Sequence, residues 1–122
     1  MSSNQAIDSS RGDAAPHGGQ DLCPRFHQAI ELIGRRWTGA VIRVLLPAPR
    51  RFNQLLAAIP GISDRLLTER LRELEAAEII RREVQPGSPV RVLYELTARG
   101  HDLRAPLDAI GLWAERWIGV ED

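Results

Sequence analysis

Apolar residues recur at helical spacing along most of the chain and give way to alternation only between residues 79 and 96. In the run Pro24 to Ile33, Phe26, Ala29, Ile30 and Ile33 share one face at i, i+3, i+4 spacing. This predicts a first helix that opens at Cys23 or Pro24, where proline is well tolerated, and stops at Gly34. A second helix is expected over about Trp37 to Leu46, with Trp37, Val41, Val44 and Leu45 inward and Pro47 and Pro49 ending it. Gly39 inside it costs ~1 kcal/mol relative to alanine, either as slack or as room for a close neighbour. Arg50-Arg51-Phe52 reads as a brief strand. A short helix follows, about Asn53 to Ile59, with Leu55, Leu56 and Ile59 inward.

Pro60-Gly61-Ile62 then forces a turn, and Ser63 is a good N-cap for the run SDRLLTERLRELEAA. Helix, glycine-containing turn and capped helix make a helix-turn-helix pattern. Two short strands come next, Ile79 to Gln85 and Val90 to Leu96, split by Pro86-Gly87-Ser88-Pro89. Val92, Tyr94 and Leu96 are expected to alternate inward, as in a half-buried ribbon. Thr97 caps a final long helix reaching about Ile118, with Pro106 bending it or marking a local break. Its apolar stripe of Leu103, Leu107, Ile110, Trp113 (or Ala114) and Trp117 is longer than a core of this size needs. The fold class is therefore mainly α with a small β-hairpin, a winged helix-turn-helix. Residues 1–20, rich in Ser, Gly, Asp, Asn and Gln, lack the apolar side chains to offset ordering and are expected to be a disordered tail before a domain spanning 21–122.

The capped helix carries the clearest chemistry. Leu67, Leu71 and Leu74 lie on one side, while Arg65, Thr68, Glu69 and Arg72 lie at i, i+3, i+4, i+7 on the other. Those side chains suit base edges in a major groove. Arginine pairs with guanine O6 and N7, threonine meets a thymine methyl and glutamate accepts from cytosine. Ser63 and the amides at the helix start are placed for a phosphate. In the hairpin, Arg91 lies just past the tip, where a ribbon reaches a phosphate or the minor groove. Arg81 and Arg82 point to opposite faces, so at most one faces DNA and the other pairs with a carboxylate. Arg50 and Arg51 can clamp the backbone. The plainer reading, a surface helix laced with i, i+4 charge pairs, does not account for the turn and the hairpin beside it.

The net charge is zero, which is unusual for a DNA binder until the charge is divided along the chain. Residues 1–34 hold two arginines against four acids, a net −2. Residues 35–104 hold thirteen arginines against eight acids, a net +5. Residues 105–122 hold one arginine against four acids, a net −3. A basic centre between acidic ends fits a DNA-facing middle with ends turned elsewhere. All 16 cationic side chains are arginine. At 122 residues and 43% hydrophobic, the chain has room for one core, and no apolar run approaches a membrane span or reads as a signal peptide. The single cysteine excludes an internal disulfide and points to a reducing cytoplasm.

Cys23 is the one candidate for reactive chemistry. A thiol at a helix N-terminus faces the positive end of the dipole, which favours the nucleophilic thiolate, and His27 one turn on adds to this when protonated. Asp21 works against it, and a buried, inert cysteine is the commoner outcome. Cys23 and His27 are too sparse for a metal site, and no cofactor is expected. There is no phosphate-cradling glycine loop, nucleophile elbow or acid pair beside a histidine, so no enzyme is expected.

Several ordered motifs resemble those of the HxlR-type transcription regulators. They are Cys23-Pro24, Gly34-Arg35-Arg36-Trp37-Thr38, Arg51-Phe52-Asn53-Gln54-Leu55, Pro60-Gly61-Ile62-Ser63, Leu67 through Glu75, and Tyr94-Glu95-Leu96-Thr97-Ala98-Arg99-Gly100. The resemblance runs from about Cys23 to Trp117. It implies a bacterial winged-helix homodimer with MarR-like architecture that represses or activates nearby genes by binding double-stranded DNA at an inverted repeat. In such a dimer the first and last helices build the interface, here through Phe26, Ile30, Leu107, Ile110, Trp113 and Trp117. The resemblance also implies that Cys23 occupies a position used by thiol sensors of small electrophiles or oxidants. The chain departs from the family pattern at Gly87-Ser88-Pro89 and Leu93 in the wing, and at Gly39-Ala40. Two other readings stand beside this one. One is a winged-helix interaction module facing an acidic protein. The other is a ligand-responsive regulator with a pocket near Trp37, Gly39 and Trp113.

Overall fold

The computed structural model describes residues 22–119, so the expected N-terminal tail lies outside the described residues. The chain divides into two compact units, residues 1–35 and 36–122. In the first, α1 (Pro24–Ile33) has its proline in the first turn, where no donor is needed, and Cys23 as an extended N-cap. Gly34 ends it in right-handed conformation, its amide donating to Ile30 O at 2.8 Å. No residue of α1 is buried.

The second unit contains α2 (Thr38–Leu45), α3 (Phe52–Ala58), α4 (Asp64–Ala76), β1 (Ile80–Gln85), β2 (Arg91–Leu96), α5 (Ala98–His101) and α6 (Arg104–Trp117). Its core is aliphatic. Val41, Ile42 and Leu45 of α2, together with Leu55, Leu67, Leu74 and Ile80, are nearly inaccessible to solvent, and Ile59, Leu71, Ile79 and Leu96 are also buried. Each such side chain contributes about 1.5–3 kcal/mol through burial.

The inward face of α2 is turned from the one expected. Thr38, Val41, Ile42 and Leu45 are buried, whereas Trp37 and Val44 are only half-buried. Trp37 is the N-cap and has left-handed backbone at φ 78, a conformation costing roughly 1–2 kcal/mol for a residue with a Cβ. Its neighbours hold it there. The Arg36 guanidinium stacks 5.0 Å above its ring, and its ring edge lies where a Cβ on Gly61 would come within 3.3 Å. Gly61, at φ +94, is thus required both by the turn and by the tryptophan. Gly39, in contrast, faces open space, so it is slack.

The expected strand Arg50–Phe52 reduces to a single rung. Arg50 N donates to Tyr94 O at 2.9 Å, and Tyr94 N donates back to Arg50 O at 2.8 Å. Phe52 instead opens α3, where Gln54 Oε1 accepts from Arg51 N at 2.8 Å. In α3, Leu55 and Ile59 are buried and Leu56 is half-buried.

Ser63 caps α4 as expected, its Oγ accepting from Leu66 N at 3.1 Å. The other end closes with Ile79 N donating to Leu74 O at 2.9 Å and Glu78 N to Glu75 O at 3.0 Å, Glu78 being left-handed at φ 62. This pair of bonds is the Schellman closure, with glutamate in the place usually held by glycine. It turns the chain straight into β1.

The hairpin pairs Ile80 with Leu96, Arg82 with Tyr94 and Gln85 with Arg91 in one antiparallel register. The expected inward alternation holds only at its base. Leu96 is buried, but residues 92–95 are all half-buried, because the ribbon runs out beyond the core. Thr97 accepts from Gly100 N at 3.2 Å and donates to Glu78 O at 2.6 Å. The single final helix expected here is two. The chain breaks at Asp102–Leu103, one turn before Pro106. Pro106 cannot donate to the Asp102 carbonyl, yet as third residue of α6 it needs no partner. Helix, glycine turn, capped helix and hairpin in this order make a winged helix that is mostly α.

Candidate nucleic-acid interface

On α4, the buried Leu67, Leu71 and Leu74 fix which side is left for solvent. Arg65 and Arg72 are exposed, Thr68 and Glu69 are half-exposed, and the four form one stripe along the helix. Arg65 Nη1 donates to Glu69 Oε2 at 2.9 Å, with the arginine side chain 78% exposed. Such exposed i, i+4 pairs contribute only about 0.3–0.5 kcal/mol. A bidentate arginine–guanine contact is worth roughly 1–3 kcal/mol of discrimination, so exchanging one for the other is favourable. Thr68 Oγ1 donates to Asp64 O at 2.8 Å. With its proton spent on its own helix, Thr68 keeps its methyl group for apolar contact. Arg72 has no ion-pair partner among the described residues. Ser63 Oγ is engaged as an acceptor in the cap, which leaves its hydroxyl proton for a phosphate, while Asp64 in the first turn opposes an anion there.

Arg70 also belongs to α4, and periodicity alone does not reveal its role. It is 6% exposed. Its Nε donates to Arg36 O at 2.9 Å and its Nη1 to Glu73 Oε2 at 3.0 Å. The guanidinium thus ties the middle of the helix to the backbone just before α2. Its position one turn from both Leu67 and Leu74 was the available signal.

In the wing, Arg81 and Arg82 do point to opposite faces, and both have carboxylate partners. Arg81 Nε donates to Glu95 Oε2 at 2.6 Å. That hydrogen bond and the Glu95 charge hold the Arg81 pKa above its ordinary value. Arg82 lies 3.7 Å from Glu75, a looser pair. Arg91 is exposed at the first residue of β2. The register places it on the Arg81 face of the ribbon, opposite to Arg82. Arg51 is exposed. Arg50 is half-buried, with Nε 3.5 Å from Val44 O at the end of α2.

Of the six residues expected at a dimer interface, five expose large apolar surfaces. Phe26 and Ile30 do so on α1, and Ile110, Trp113 and Trp117 on α6, with Trp117 68% exposed. Leu107 is a correction. It is 8% exposed and packs into the core of its own unit, because it lies on the face of α6 turned to that core. Leu22, Leu112 and Ile118 are exposed apolar residues that the sequence reading did not single out. Cys23 is exposed and not buried. Among the described residues, no helix is long and apolar enough to cross a membrane.

Comparison with known proteins agrees with this geometry. The model of HxlR-like helix-turn-helix domains matches residues 32–122. The transcriptional regulator YodB of Bacillus subtilis (strain 168) is 42% identical over 104 residues, 85% of this chain and 93% of YodB. The crystal structure of quinone-bound YodB from B. subtilis superposes with a TM-score of 0.70 at 40% identity, covering 79% of this chain and 100% of that one. The redox regulator HypR in its oxidised form superposes with a TM-score of 0.74 at 35% identity, covering 80% of this chain and all of HypR. The matched proteins are regulators of transcription, a class that is not enzymatic. The chain belongs to the HxlR-like helix-turn-helix family of DNA-binding transcriptional regulators.

Proposed function

We propose that the protein is a cytoplasmic homodimeric repressor that binds an inverted-repeat operator and changes its affinity when Cys23 reacts with an electrophile or oxidant. The observation that carries the reading is the α4 stripe. Arg65, Thr68, Glu69 and Arg72 stand clear of the core on a helix capped at Ser63 and fastened by Arg70. In this reading the stripe contacts base edges, while Ser63, Arg50, Arg51 and Arg91 hold phosphates. The domain spans 21–122, with 1–20 a tail, and acts by binding and not by catalysis.

The exposed apolar residues of α1 and of α6 support association through Phe26, Ile30, Ile110, Trp113 and Trp117, since large apolar side chains gain by leaving water. Two-fold symmetry would then place paired recognition helices in successive major grooves, about 34 Å apart. Cys23 is exposed at the start of α1, and relatives include a quinone-bound regulator and a redox regulator. A modified thiol beside the dimerising helix would alter the spacing of the two α4 helices.

Selection of bound duplexes from a random pool tests the DNA part. It should enrich an inverted repeat with half-sites one helical turn apart. Recovery of no common sequence would overturn it. For the thiol part, p-benzoquinone should release DNA from the parent protein and not from Cys23→Ser. An equal response in both would remove Cys23 from the mechanism.

A further inference from the structure

We propose that Arg82 and Arg72, facing each other across the cleft between α4 and the wing, form a binding site for one DNA phosphate, with Arg82 as the wing's principal backbone contact. This rests on the DNA-binding reading above and adds a residue to it. The cleft has a volume of about 250 Å3 and is lined by Thr68, Leu71 and Arg72, then Glu75, Arg82 and Tyr94. At roughly 30 Å3 per water it holds about eight waters, room for a phosphodiester. Thr68 and Arg72 belong also to the base-reading stripe, so a strand whose bases meet that stripe carries its backbone along the cleft.

Three features single out Arg82. The first is its placement. It pairs across the ribbon with Tyr94, and Tyr94 is bonded on its other side to Arg50 by two backbone hydrogen bonds of 2.9 and 2.8 Å. This is the one rung of the wing held on both sides, whereas Arg91 sits on the last rung before the tip. The second is its partner. Glu75 lies 3.7 Å away, with both side chains substantially exposed, an attraction that a phosphate can replace. Arg81, in contrast, is bound to Glu95 at 2.6 Å. The third is the opposite wall. Arg72 has no ion-pair partner among the described residues, so two guanidinium groups and one carboxylate line the cleft. Glu75 then acts as a placeholder that keeps Arg82 aimed at the cleft until DNA arrives.

The test measures affinity for a labelled random-sequence duplex across salt concentrations, because phosphate contacts are independent of sequence. Arg82→Gln should weaken binding roughly tenfold at low salt, and should lower the log–log salt slope by about 0.9 per subunit. Glu75→Gln should tighten binding, since it frees the arginine and removes the competing charge. A purely structural pair would instead lose affinity in both variants. Arg81→Gln, a neighbouring loss of the same charge, should keep the parent's slope. An unchanged slope in Arg82→Gln, an equal loss in Arg81→Gln, or weaker binding by Glu75→Gln overturns the proposal while the DNA-binding reading stands. A parent protein that binds no duplex at low salt overturns both.

Discussion

Replacing Arg70 by methionine removes the fastening of the recognition helix while keeping an unbranched side chain of similar length. Two hydrogen bonds disappear together, with a looser 3.9 Å ion pair to Glu69. One is the hydrogen bond from Nε to Arg36 O at 2.9 Å, and the other is the contact from Nη1 to Glu73 Oε2 at 3.0 Å. A hydrogen bond from a charged group contributes about 1.5–3 kcal/mol. Removing one member of a buried ion pair costs about 3–5 kcal/mol, mostly through the charge left behind. Here the pair is buried on one side only, the side chains of Arg70 and Glu73 being 8% and 32% exposed. Solvent therefore screens the Glu73 carboxylate, and methionine regains some packing. The expected net loss is about 2–3 kcal/mol, which lowers Tm by roughly 10–20 °C for a domain of this size. Guanidinium unfolding followed by circular dichroism, at one fixed protein concentration because association shifts apparent stability, measures it. A loss below about 0.5 kcal/mol in Arg70→Met would show that the guanidinium is a surface ornament and refute the reasoning.

Other perturbations follow from single contacts. Ser63→Ala removes the cap on Leu66 N and should cost about 1 kcal/mol in the same unfolding assay. Gly100→Ala should destabilise by roughly 1–3 kcal/mol, since a Cβ there would clash with the carbonyl oxygen of Ile79. Glu78→Gly should be neutral to stabilising by up to about 1 kcal/mol, because the left-handed closure of α4 no longer holds a side chain. Trp113→Glu should leave the fold intact, its side chain being exposed, yet shift the protein towards monomer in sedimentation at micromolar concentration.

The sequence was legible where local chemistry decides the outcome. Ser63, Gly61 and the helical spacing of leucines in α4 state their roles through steric and hydrogen-bonding rules that need no knowledge of the rest of the chain. The faces of α2 were less legible. Trp37 is large and apolar, but its left-handed backbone takes it out of the helical repeat, so the buried face shifts to Ile42. Arg70 was only partly legible, for a different reason. Its place one turn from Leu67 and Leu74 signals burial, but its partner is a backbone carbonyl 34 residues away, which no periodicity registers. The break between α5 and α6 was only half visible. Pro106 announced it, but the place where the chain yields depends on which carbonyl lacks a donor. For the set proposed to face DNA, side-chain spacing revealed the stripe on α4. Choosing among the wing arginines required the strand register, which sets Arg81 opposite Glu95 and Arg82 opposite Tyr94.

The central claim is that the α4 stripe reads base sequence. Its most direct test is the ratio of affinities for a selected inverted-repeat duplex and a scrambled one at fixed salt, in the parent and in Arg65→Ala and Arg72→Ala. The parent ratio should be roughly a thousandfold or more. Arg65→Ala should lose about 1–3 kcal/mol on the selected site and much less on the scrambled one, whereas Arg72→Ala, which also removes a phosphate contact, should lose affinity on both and more on the selected site. Selected-site affinities unchanged by both substitutions, or lost equally on both duplexes, would contradict the account.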